Sequence, residues 1–165
     1  MPTECSAERF DFGIVEGRIV EAAFDAGLVT SDAGALLLGA TDRAIDLVGR
    51  FADCFRDHRR QDLIEHAIGT LVGQRVFGMA LGYEDLNDHD ELRHDPLMAV
   101  LSGKLAARRE NCAPVAGKST LNRLEHAGKI GQDRHHKLDH DMSAIERLPV
   151  DIFLDAHREP PIRIV

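Results

Sequence analysis

Leu37, Ala44, Ile45, Val48, Phe51, Ala52 and Phe55 recur at three- and four-residue spacing and predict one long amphipathic helix. Thr30-Ser31-Asp32 supplies its N-cap chemistry, because a side-chain oxygen there accepts an otherwise orphaned backbone N–H. The charged run Asp57-His-Arg-Arg60 breaks the pattern. A second helix is predicted from about Asp62 to Leu81, with Leu63, Ile64, Ala67, Ile68, Leu71, Val72, Val76 and Met79 on one broad apolar face. So wide a face suits a central, largely buried helix. Gly69, Gly73 and Gly78 each cost up to about 1 kcal/mol relative to Ala in a helix interior, which predicts close approach of a neighbour.

Beyond Leu81, Asn87 is placed to cap a short helix over 88–93, and Pro96 opens another through Leu97–Leu101 towards Arg109. Residues 110–117 read as a linker. Ser119 caps a helix over Thr120–Ala127 that Gly128 closes. The stretch 129–141 is polar and rich in His. Met142–Glu146 resumes helix, and Pro149 opens a last short one carrying Val150, Phe153 and Leu154, ended by Pro160-Pro161. At the other end, residues 10–24 alternate imperfectly around Gly13 and Gly17 and predict one or two short strands.

The fold class expected is therefore mainly α, with a short β segment near residues 10–24. Three parts follow: an N-terminal arm over 1–29, a helical region over 30–160, and a strand start at 161–165. Ile162-Arg-Ile-Val165 reads as the first half of a buried strand without its partners, which predicts a fragment or a truncated protein.

Composition narrows the class. The chain has 165 residues, 44% of them apolar, which is enough for one domain with a real core. Cys5, Cys54 and Cys112 form no CxxC pair, so reduced thiols are expected rather than a disulfide framework or zinc ribbon. No apolar run approaches membrane-helix length and no signal layout opens the chain, so a cytoplasmic protein with no membrane partner is expected. The net charge of -8 is uneven. Residues 1–58 hold eleven acids and five bases, a net of -6, whereas 103–137 hold eight bases and three acids, a net of +5. A local basic segment governs phosphate contact more than the global sum does.

Three constellations carry candidate chemistry. His58, His66 and the doublet His89-Asp90 have residue types that helical metal-dependent phosphohydrolases use, and His66, His89 and Asp90 define that alternative function. His135, His136, Asp139 and His140 include an i,i+4 histidine pair, with a solvated face the favoured reading. The third is the basic helix Lys118-Ser-Thr-Leu-Asn-Arg-Leu-Glu-His126. Leu121 and Leu124 anchor it, leaving Lys118, Ser119, Thr120, Asn122 and Arg123 to meet phosphates or base edges. Lys104, Arg108 and Arg109 join them as candidate DNA contacts in the same +5 segment. No Walker, dinucleotide-binding or nucleophile-elbow motif is present in a usable context, and no complete catalytic site is visible. A non-enzymatic helical interaction module is a further alternative.

The densest charge lies in Gly82-Tyr-Glu-Asp-Leu-Asn-Asp-His-Asp-Glu-Leu-Arg-His-Asp-Pro96, where six carboxylates occupy fifteen residues. Such a block is either a solvated turn or a positioning element for something basic. Extended upstream to Gln74-Arg-Val-Phe-Gly-Met-Ala-Leu81, it resembles the N-terminal region of bacterial insertion-sequence transposases of the DDE type, the group labelled transposase DDE domain group 1. Leu28-Val-Thr-Ser-Asp-Ala-Gly34, Asp57-His-Arg59 and Lys118-Ser-Thr-Leu-Asn-Arg-Leu-Glu125 are similar to the same family, in the same order, over roughly residues 25–165.

The resemblance implies an enzyme that cuts and joins the ends of its own mobile element. It implies a ribonuclease H-like core whose three carboxylates bind divalent metal, with Mg²⁺ expected for the full-length family. Ile162–Val165 resembles the start of the first core strand, and the resemblance implies a first catalytic Asp that is expected beyond it. No catalytic residue, metal ligand or cofactor is therefore assigned within this chain. The implied roles are binding of element-end DNA, packing on the core and contact with another transposase subunit.

Overall fold

A computed structural model of the chain describes residues 9–23, 32–129 and 137–157. The short strands expected near residues 10–24 are two, β1 (Arg9–Val15) and β2 (Arg18–Ala23), and they pair antiparallel as a hairpin. Its two-residue turn places Glu16 at φ 45° and Gly17 at φ 76°, and successive positive φ values match the twist of the flanking strands. Glu16 is a non-glycine in that region, and its carboxylate accepts the Leu105 N–H at 2.9 Å, tying the turn to a distant loop.

The first predicted helix is two. Helix α1 spans Ala35–Ile45 and α2 spans Leu47–Ala52, divided by Asp46 in the left-handed conformation at φ 53°. Asp tolerates that conformation better than most residues. The Asp42 carboxylate then accepts the Val48 N–H at 2.9 Å and satisfies the start of α2. The break re-aims the apolar stripe. Val48, Phe51 and Ala52 face the core, whereas Leu37, Leu38 and Ile45 are exposed. The proposed cap residues Thr30 and Ser31 lie outside the described residues.

Phe55 leaves the helix altogether. Strand β3 (Phe55–Asp57) pairs antiparallel with β5 (Leu138–His140), which pairs parallel with β4 (Gly128–Lys129). The sheet thus recruits the polar, histidine-rich stretch that carried no strand signal. Helix and strand cover about half and 16% of the described residues, so the protein is mixed α/β rather than mainly α. The strand start predicted at 162–165 lies outside the described residues.

The second predicted helix is shorter than its apolar pattern. Residues Gln61–Leu63 form a 3-10 turn, and α3 begins at Ile68 and ends at Ala80. It is the central element, with Leu71, Val72, Gln74 and Phe77 buried. Two of its glycines make room as expected. A Cβ on Gly73 would lie 3.3 Å from Val48 Cγ1, and one on Gly78 only 2.8 Å from His89 Cε1. Gly69 faces open space.

After α3, the cap of the next turn is Asp85, not Asn87. Its carboxylate accepts the Asn87 N–H at 2.8 Å and opens a 3-10 turn that leads into α4 (His89–Leu92). Asp95 caps α5 (Pro96–Leu101), with Pro96 in the first turn as predicted. The helix stops at Leu101, short of Arg109, and Gly103 follows with φ 69°. Helix α6 (Lys118–Glu125) starts from Gly117 with no side-chain cap, so Ser119 lies inside it rather than before it. The last two predicted helices are one, α7 (Met142–Ala156), capped by Asp141 and carrying Pro149 internally.

Candidate nucleic-acid interface

Helix α6 is fastened from below by Leu121 and Leu124, both buried in the cluster formed with Leu71, Val72, Ala116 and Leu138. That leaves Ser119, Asn122 and Arg123 exposed and Thr120 half-buried, the facing that the leucine spacing predicts. The helix start is held by the acidic block. Asp90 accepts the Lys118 backbone N–H at 3.1 Å, and Lys118 Nζ lies 3.3 Å from Asp90 Oδ2 and 3.1 Å from Asn87 Oδ1. Those contacts, the backbone N–H first among them, hold the Asp90 carboxyl below its ordinary range. Within the block, Asp90 thus positions a basic group, and that group, Lys118, lies in this chain.

A second link runs beneath it. Gln74 and His89 are fully buried. The Gln74 amide donates to the Ala116 carbonyl at 2.7 Å and accepts the Ala116 N–H at 2.8 Å, as a strand neighbour would. His89 Nδ1 lies 3.1 Å from Gln74 Nε2, so this ring nitrogen accepts and the neutral imidazole carries its proton on Nε2. Burial, with the Arg75 charge adding to it, pushes the imidazolium form of His89 down. Arg75 in turn grips Glu125 at the far end of α6 and donates to the carbonyls of Tyr83 and Glu84.

Above α6 opens a cleft of about 840 Å³. One wall is Thr120, Asn122, Arg123 and His126 on and just after α6; the other is His58, Arg59, Arg60 and Leu63; Lys137, just before β5, and Leu138 at its start form the floor. Four of these residues are Lys or Arg, and no carboxylate is among the described lining residues. The sequence pattern marks 57–60 only as a break in the helical period, whereas 58–60 form a wall of the cleft. The signal was there, in three basic or imidazole residues in a row, but their proximity to α6 depends on the β3–β5 pairing.

Lys104, Arg108 and Arg109 lie elsewhere. Lys104 Nζ sits 2.7 Å from both Glu65 Oε1 and the Glu65 carbonyl, and its side chain is largely buried. The Arg108 N–H donates to Glu65 Oε1, while the Arg108 and Arg109 guanidinium groups reach the carbonyls of Ile64 and Leu63. This node ties the 63–66 segment to the loop after α5. Burial alone would raise the Glu65 carboxyl, but Lys104 and the Arg108 N–H outweigh it and hold it low.

His66, 3.3 Å from Lys104 Nζ, is pushed down to about 4 by burial and by the Lys104 charge. An imidazole kept neutral in the fold but protonated near 6.5 when unfolded favours the unfolded chain as pH falls between those values. His89 acts in the same direction. Urea unfolding midpoints should be nearly level from pH 8 to 7 and decline from about 6.5 downwards, at up to about 1.4 kcal/mol per pH unit for each histidine. His66→Gln should remove one proton's share of that slope, measured between pH 6.5 and 5.

The residues of the phosphohydrolase alternative do not converge. His66 faces an ammonium group, His89 is sealed against Gln74, and Asp90 is bonded to Lys118. His140 is on a strand with Nδ1 against the Ala127 carbonyl, Asp139 pairs with His58, and His135 and His136 lie outside the described residues. Among the described residues no three His, Cys, Asp or Glu side chains are grouped to hold a metal ion, so the divalent metal implied by the resemblance finds no fit there. Nor is any helix there long and apolar enough to cross a membrane.

Fold and site together define a mixed α/β module that presents a cationic cleft, with an acidic block as its internal brace. The family model for transposase DDE domain group 1 matches residues 12–165, nearly the whole chain. The protein belongs to that transposase family. No curated protein and no solved structure matches it significantly.

Proposed function

We propose that this chain serves DNA transposition as a DNA-binding part of a DDE transposase, meeting mobile-element ends through the outer face of α6. The observation that carries this reading is Arg123, exposed beside Asn122 in a cleft whose described lining is cationic, with no acid partner among the described residues. Ser119, Thr120 and Lys118 extend the same face, although Lys118 also spends its charge on Asp90. Lys104, Arg108 and Arg109 enter as a brace around Glu65 rather than as contacts. Exposed Val150 and Leu154 on α7 give an apolar surface for packing on the catalytic core or on another subunit.

The test is fluorescence anisotropy with labelled DNA, single-stranded and duplex, over a salt series. Arg123→Ala should weaken binding about 3- to 10-fold and lower the slope of log affinity against log salt by about 0.7–0.9, the share of one lost phosphate contact. Asn122→Ala should weaken binding with the slope unchanged, because its amide carries no charge. Wild-type affinity and slope in Arg123→Ala would refute the assignment.

A further inference from the structure

Resting on that reading of α6, we infer that the cleft opposite it takes a single unpaired DNA strand, clamped between Arg60, Arg123 and Lys137 with His126 as a ring platform. The wall at 58–60 and the floor come from segments far apart in the chain and are locked by the sheet, which α6 joins through β4. Asp57 pairs with Leu138 across β3 and β5, and the His58 N–H donates to the Lys137 carbonyl at 2.9 Å. Arg59 is anchored by two bonds to Asp57 and one to the His66 carbonyl, so it fixes the turn rather than reaching outwards.

The other cations are available. Arg60 pairs with Asp62, but both side chains are well exposed, and such a pair exchanges for a phosphate at little cost. Lys137 and Arg123 have no acid partner among the described residues. Arg123 stands on the α6 wall, Arg60 on the facing wall and Lys137 on the floor between them, so a backbone lying in the cleft meets a cation on each side.

Shape selects the strand form. A helix that reads duplex DNA must project into a major groove about 12 Å wide. Here α6 is instead one side of a concavity, walled by 58–60 and floored by Lys137 and Leu138. A concave cationic track with flat rings suits an unpaired strand, whose bases are free to stack on them. His126 supplies such a ring in a fixed pose. Its Nδ1–H donates to the Asn122 carbonyl at 2.9 Å, which holds the imidazole at the end of α6. His58 is similarly held on the facing wall, with Nε2 3.0 Å from Asp139 Oδ2.

Anisotropy with the full chain tests this, using a fluorescein-labelled single strand of roughly 12 nucleotides and a duplex of about 20 base pairs. The single strand should bind at least about 5-fold more tightly than the duplex. Arg60→Ala and Lys137→Ala should each weaken single-strand binding about 3- to 10-fold and lower the salt slope by about 0.7. His126→Ala should weaken it about 5-fold with a smaller change of slope than either cation variant, since stacking of a base on the ring face is not a phosphate contact. Unchanged thermal midpoints will show that these exposed substitutions leave the fold intact. If Arg123→Ala weakens binding while Arg60→Ala and Lys137→Ala do not, α6 binds DNA and the clamp is wrong. Duplex binding as tight as single-strand binding overturns the strand assignment. Absence of binding to either DNA overturns this inference together with the reading it rests on.

Discussion

Gln74→Leu should cost about 3–5 kcal/mol of folding stability, read as a lowered urea midpoint at pH 7.5 with an unchanged slope. Leu nearly matches Gln in volume, so little packing is lost. What is lost is a set of bonds in a place water does not reach. Gln74 is fully buried, and its amide satisfies both the N–H and the carbonyl of Ala116 and faces Nδ1 of fully buried His89. Each such group left unpaired costs about 1–3 kcal/mol, and partial relaxation keeps the total below the sum. A loss under about 1 kcal/mol would mean that Ala116 finds other partners. The effect should reach function as well, because Ala116 leads directly into α6. DNA affinity should fall even at urea-free conditions where most molecules remain folded.

Lys104→Met should be comparably severe, at about 3–5 kcal/mol, because it strands the Glu65 carboxylate without its main counter-charge. Among the described residues Glu65 Oε2 accepts no hydrogen bond, and Arg109 Nε, 3.9 Å away, is too distant to donate one. Adding Glu65→Gln to Lys104→Met should recover part of the loss, since a neutral amide at this site does not demand an ammonium group. A double-mutant cycle on urea midpoints measures the coupling, expected to exceed about 1 kcal/mol. Equal losses in the single and double variants would show that Lys104 acts through packing of its stem alone. The same variant separates a brace from a DNA contact. The folded fraction of Lys104→Met should keep the wild-type salt slope for DNA, whereas Arg123→Ala should not.

The acidic block is held by contacts of its own. Three of its six carboxylates have defined partners. Asp85 and Asp95 cap the starts of turns, and Asp90 holds Lys118. Beside them, the carbonyls of Tyr83 and Glu84 take up Arg75, which also bonds Glu125. The helix that carries Arg123 is thus gripped at both ends.

Much of this was legible in the chain itself. Spacing alone placed Leu121 and Leu124 inward and Asn122 and Arg123 outward, because two leucines three apart on a short helix leave one orientation that buries both. The short strands near residues 10–24, the central helix and the close approaches at Gly73 and Gly78 follow from period and the cost of glycine, whereas the hairpin turn at Glu16-Gly17 does not. Family membership was legible from the block running from Gln74 to Pro96. Tertiary structure decided the rest. Asp46 splits a stripe that reads as continuous, because a left-handed residue leaves no mark on hydrophobic period. Phe55–Asp57 and Leu138–His140 become strands only by pairing with each other across some eighty residues, and neither alternates strongly enough to announce it. Lys104 and Lys137 look alike as letters in a basic segment. One is consumed by Glu65 and the other faces a cleft, and only the positions of distant carboxylates distinguish them.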